Sequence, residues 1–193
     1  MQSDPAHLEP AEISRLLETA ATNPGAVERL VPAVYAQLRA LAASYLGADR
    51  APNTLQPTAL VHEAFVRLLG AQELAFESRA HFFAIAANAM RFVLADHARQ
   101  KRAQKRGGGW ARITLSGIGS SDGDADFDAA DVDEALEELA RLNERQARVV
   151  EMRFFGGLTV EQIAAVLGVS KRTIDAEWHF ARAWLRGRLE DSR

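Results

Sequence analysis

The chain has 193 residues, a formal net charge of −3, 48 % hydrophobic residues and no cysteine. That hydrophobic content is ample for one medium or two small packed domains, and the missing thiols exclude a disulfide framework and a cysteine-based metal site. The opening Met1 to His7 lacks the basic and apolar blocks of a signal peptide, and the apolar run Phe82 to Ala87 is far short of the ~20 residues that span a bilayer, so a cytoplasmic protein with no membrane association is expected.

Apolar spacing predicts helices over residues 11–21, 26–46, 57–70 and 78–104, separated by Pro, Gly or polar residues. The last of these begins with aromatic and apolar residues and ends in a basic cluster. Between Arg91 and Arg112 stand seven basic residues (Arg91, Arg99, Lys101, Arg102, Lys105, Arg106, Arg112) against one acid, Asp96. Arg99, Arg102 and Arg106 recur at three and four residues, so they share one helix face and can track a phosphate backbone. Phe82 and Phe83 read as ordinary core. Phe76, in the loop before the helix, is the better candidate for a base contact.

Residues 107–131 are rich in Gly, Ser and Asp and have no periodicity, so they read as a flexible acidic linker with no strand. From Ser116 to Glu138 there are nine acids (Asp122, Asp124, Asp126, Asp128, Asp131, Asp133, Glu134, Glu137, Glu138) and no Lys or Arg. Such a segment is either a solvated tether or a DNA mimic that shields the basic helix. Beyond it, helices are expected over residues 132–142, 144–154, 160–167 and 171–190. The expected fold is all-α: a helical domain over 1–106, the linker over 107–131 and a second helical domain over 132–193.

Leu158 to Trp178 carries the spacing of a helix-turn-helix. Ala164 is small enough for two helices to cross closely, and Gly168 can take the positive φ of a sharp turn. Val169, Ile174 and Trp178 supply the shared core. Ser170 can cap the second helix by accepting from Arg172 or Thr173, leaving Lys171, Arg172, Asp175, Ala176, His179 and Arg182 on the opposite face. A face like that can enter a major groove. A purely structural helix pair would produce part of the pattern. Asp175 and Glu177 place negative charge near the phosphates and weaken a simple electrostatic case.

An enzyme is disfavoured: His62-Glu63 has no second His at metal-binding spacing, no Gly-rich phosphate loop follows a strand, and His81 and His97 are too far apart to share a metal. No cofactor is implied. The rival binding function is a repressor or activator that holds an operator as a symmetric dimer.

Ile85-Ala86-Ala87-Asn88 matches an Ile-Ala-Arg-Asn motif, Leu60-Val61-His62-Glu63-Ala64-Phe65 matches Leu-Val-Gln-Glu-x-Phe, and Leu158 to Leu185 matches a fourth conserved region. With the order of parts, these motifs resemble a bacterial sigma factor of the extracytoplasmic-function (ECF) type over nearly the whole chain. The resemblance implies core RNA polymerase and promoter DNA as partners. Carried over by position, the loop from Gly70 to Ser78, with Phe76, and Asn88 would hold a flipped non-template base. Ser170 to His179, including Thr173, would read the upstream element, and Thr58, Leu60, Val61, Glu63 and Phe65 would face polymerase.

One stretch departs from the family. An acidic Asp-Ala-Glu-Asp usually precedes Leu-Val-Gln-Glu and helps dock polymerase, but here Gln56-Pro57-Thr58-Ala59 stands in its place. Pro57 suits the first helical position, which puts Thr58 in a first turn that favours an anion. Phosphorylation of Thr58 by a Ser/Thr kinase would supply the missing charge, about −1.5 to −2. This agrees with the branch of the family thought to be kinase-activated. Thr54 is a rival site, and a plain capping role is the simpler alternative.

Overall fold

A computed structural model describes residues 12, 15, 16, 19, 24–46, 55–70, 78–104, 112–115 and 125–190. Within the first expected helix, Glu12, Arg15, Leu16 and Thr19 are helical. Three longer helices follow: α1 (Pro24–Leu46), α2 (Pro57–Gly70) and α3 (Arg79–Gln104). Proline opens both α1 and α2, where its fixed φ suits the first turn and its missing N–H would have no helical partner. Leu38, Ala42, Leu60, Val61, Ala64, Phe82, Met90 and Val93 interlock as the core between these helices. Phe82 and Phe83 are buried there, as expected of core residues, and meet edge to face at 5.4 Å.

The segment expected to be a strandless linker contributes two strands. β1 (Arg112–Leu115) pairs antiparallel with β2 (Ala125–Asp128), in the register Ile113 opposite Phe127 and Leu115 opposite Ala125. Arg-Ile-Thr-Leu alternates with period two, so Ile113 and Leu115 both turn inward and are buried beside α1. Burying these side chains and Phe127 is worth roughly 1.5–3 kcal/mol each, which a solvated tether would forgo. Residues 105–111 and 116–124, Arg106 among them, lie outside the described residues.

β2 leads directly into α4 (Ala129–Leu142), which starts three residues earlier than expected because the Asp128 carboxylate caps it, accepting from the Ala130 N–H at 2.9 Å. Asn143 ends α4 and caps α5 (Glu144–Phe154) through the Gln146 N–H at 3.2 Å. Gly157, at φ +60°, turns the chain under Leu41 of α1; a Cβ there would lie 3.1 Å from that side chain. Thr159 and Gln162 form a reciprocal capping box at the start of α6 (Val160–Leu167), and α7 (Lys171–Glu190) completes the fold. The architecture is all-α apart from the small hairpin. The core runs without a break from α1–α3 into α4–α7, with Tyr45 edge-on to Phe155 at 5.7 Å.

Candidate nucleic-acid interface

Helices α6 and α7 meet at the predicted turn. Gly168 has φ +65°, a left-handed conformation that a side chain would strain, and the Val169 N–H returns to the Ala164 carbonyl at 3.1 Å. Ile163, Ala164 and Ile174 are buried at the crossing. Ser170 caps α7, its hydroxyl accepting from the Thr173 N–H at 3.2 Å. Lys171, Arg172, Asp175, Ala176 and His179 are exposed on one side of α7, and Thr173 is half-buried behind them. This geometry fits a helix that inserts its N-terminal half into a groove.

Glu177 does not join that side. It is buried, and its carboxylate accepts from the Arg145 Nε–H at 2.6 Å, so its charge is neutralised inside the fold rather than set against phosphates. At 600° around the helix from Lys171, Glu177 lies on the inward half, a placement that α5 exploits by bringing Arg145 alongside. Trp178 packs on Phe154 at 5.3 Å and carries the Arg153 guanidinium 5.1 Å above its ring. Beside it opens a groove of about 860 Å³ bordered by Arg153, Thr159, Lys171, Asp175, Trp178 and Arg182. Lys171 is ion-paired with Glu161, and the ammonium's hydrogen bond holds that carboxyl at about 2. Phe180, 72 % exposed near the middle of α7, is an aromatic that sequence reasoning passed over. Its signal was an apolar residue lying off the Ile174–Ala181–Leu185 stripe.

Arg99 and Arg102 on the basic face of α3 remain partly exposed, but both are paired with acids of the same chain. Arg99 reaches the fully buried Asp133 of α4 at 2.5 Å, and Arg102 reaches Asp131 at 2.7 Å and Asp128 at 3.3 Å. One turn earlier, the buried Arg91 lies 2.9 Å from Glu151 of α5 and 3.3 Å from Asp133. Asn88, expected to hold a flipped base, donates to Glu151 at 3.3 Å. Burial pushes the Asp133 and Glu151 carboxyls above the usual carboxylate range, and the neighbouring guanidiniums pull each back only in part. Ser78 caps α3 by accepting from the His81 N–H at 3.1 Å, while Phe76 and most of its loop lie outside the described residues.

On α2 the residues expected to face polymerase divide. Leu60 and Val61 are core, Phe65 is half-buried against Tyr35, and Thr58 and Glu63 are exposed. Val66, 72 % exposed, shares the outer side with Glu63 and Arg67 and was not singled out from the sequence. The Leu60 N–H bonds the Gln56 carbonyl at 3.0 Å, so Thr58 occupies the first turn, where free N–H groups point outward. Thr54 lies outside the described residues.

Among the described residues no cluster could hold a metal ion, and no helix is long and apolar enough to cross a membrane. No curated protein matches this chain. The family described as ECF sigma factor matches residues 10–191, which takes in the basic helix, the hairpin and the helix-turn-helix together. The chain therefore belongs to the ECF sigma factor family, whose members act in transcription initiation.

Proposed function

We propose that this sigma factor works as two lobes on core RNA polymerase, residues 1–106 engaging the promoter element near the start site and residues 132–193 reading the upstream element. The reading is carried by α7: a Ser170-capped helix after a left-handed glycine, presenting Lys171, Arg172, Ala176 and His179 outward. On the other lobe, Asn88, Arg99 and Arg102 on α3, with Phe76, Ser78 and Arg106 near its ends, contact the opened strand. Glu63 and Thr58 on the outer side of α2 meet polymerase, with Val66 adding apolar surface and Leu60 and Val61 holding the helix in place.

The finer part of the reading is that a Ser/Thr kinase switches the factor on by phosphorylating Thr58. Support comes from the exposed first-turn hydroxyl after Pro57 and from the lack of carboxylates at residues 56–59. A phosphate there adds about −1.5 to −2 charges at the positive end of α2. Run-off transcription with core polymerase tests both parts. Thr58→Glu, or the kinase-treated chain, is expected to initiate at least several-fold better than the untreated chain, and Thr58→Ala to ignore the kinase. Equal activity of all forms ends the switch, and failure of every form to join polymerase ends the sigma-factor reading in favour of an operator-binding protein.

A further inference from the structure

The seam between the lobes pairs every described residue assigned to the opened strand, other than Ser78 at the helix start, with an acid of the same chain. Asn88 meets Glu151, Arg99 meets Asp133, and Arg102 meets Asp131 and Asp128, while Arg91 is wedged between Glu151 and Asp133. These carboxylates come from three elements, the end of β2, the start of α4 and the middle of α5, yet they follow one side of α3 over four helical turns. They stand to α3 as the phosphates of a strand would, one guanidinium after another.

We infer that the acidic side of α4 and α5 is an intramolecular stand-in for promoter DNA, and that in the closed arrangement described above it occupies the DNA-binding side of α3. The inference rests on the proposal that α3 faces DNA. Both ligands are polyanions, and guanidiniums serve either equally well, so the lobes compete with DNA for Asn88, Arg99 and Arg102. The seam is built to part. A cavity of about 420 Å³ remains in it, bordered by the polar His81, Asn88, Arg91 and Glu151 and by the apolar Ile85 and Leu136, so packing is incomplete where Arg91 and Asn88 meet Glu151. Asp133 is fully buried, and a carboxylate taken from water recovers its solvation when the lobes separate. The ring contact of Tyr45 with Phe155 and the continuous apolar core keep the closed form a single defined arrangement.

The consequence is autoinhibition: apparent DNA affinity equals the intrinsic affinity multiplied by the open fraction. The test uses the full chain with Asp131→Asn and Glu151→Gln, near-isosteric changes that leave the fully buried Asp133 in place. Binding to a labelled mixed-sequence DNA, single-stranded and duplex, is read by anisotropy. Lobe separation is read by energy transfer between dyes on cysteines introduced at the exposed Ala43 and Arg141, since the chain has none of its own. The neutralised variant is expected to bind single-stranded DNA about tenfold tighter or more, with the dyes farther apart. Adding Arg99→Ala and Arg102→Ala should remove the gain. Glu134→Gln with Glu190→Gln, two exposed acids, controls for net charge and should give much less. If the parent chain binds as tightly as the variant while its lobes stay closed, or if the seam does not loosen when neutralised, the occlusion is wrong. If the lobes open and affinity still does not rise, the assignment of α3 to DNA fails instead.

Discussion

Arg91 illustrates how much of this molecule hangs on single charges. Its guanidinium is buried between Glu151 and Asp133 and lies 4.6 Å above the ring of Phe92, so both its charge and its flat face are satisfied inside the protein. Removing it leaves one oxygen of the fully buried Asp133 without its cation and Glu151 with only the Asn88 amide. Breaking a buried pair from one side costs about 3–5 kcal/mol, far more than the pair contributes net. Arg91→Ala should therefore lower the urea midpoint steeply. The half-exposed Arg102 should behave differently, because water replaces its partners: Arg102→Ala should cost at most about 1 kcal/mol. Comparable losses for the two variants would mean that the Arg91 site is wetter than its burial indicates.

Helix α7 is defined by what happens in the four residues before it. Gly168 stops α6 with a left-handed turn, Val169 tucks back, and Ser170 supplies the oxygen that the first orphan N–H groups of α7 lack. The same serine hydroxyl also lies 2.8 Å from the Thr173 hydroxyl, fixing the half-buried residue of the reading side. Ser170→Ala is expected to lower stability by about 1 kcal/mol, read by thermal unfolding. Thr173→Val should leave the cap intact and spare most of that stability. Farther along, Arg145 on Glu177 and Arg188 on Glu138 tie α7 to α5 and α4, so the helix cannot roll and expose a different side to DNA.

For the molecule as one body, the closed seam makes salt act twice. Added salt screens the contacts between α3 and phosphate, which weakens binding, and it screens the contacts between α3 and the acids of α4 and α5, which frees the binding side. The two effects oppose each other in the parent chain. Log affinity against log salt should thus be shallower for the parent than for the variant with Asp131 and Glu151 neutralised, where mainly the DNA contacts are left to screen. Titration of the same oligonucleotide across a salt series checks this, and equal slopes would mean that the seam does not exchange with DNA. The overall charge of −3 then has a physical role: the chain carries its own counter-polyanion in the middle of its sequence, next to the cations it neutralises.

Helix bounds, the glycine turn and the serine cap were legible in the residues because each is decided within one turn of chain. A cap needs a side-chain oxygen three residues before an N–H, and a left-handed turn needs a missing Cβ. The predicted spans of α2, α5, α6 and α7 accordingly match the observed ones to the residue, and the exposed set Lys171, Arg172, Asp175, Ala176 and His179 follows from helical period alone, whereas Arg182, expected with them, is half-buried. The hairpin was not legible, since four alternating residues flanked by Gly and Asp become strands only when a partner with the matching alternation arrives from beyond the loop. Nor was the fate of the charges. Periodicity places Arg99, Arg102 and Glu177 on a side of a helix but cannot say that Asp133, Asp131 and Arg145, about 30 residues away, will stand opposite them. Pairing across such separations is a property of how helices pack, and packing gave a row of apparently free cations partners on the facing helices while leaving them at the edge of solvent.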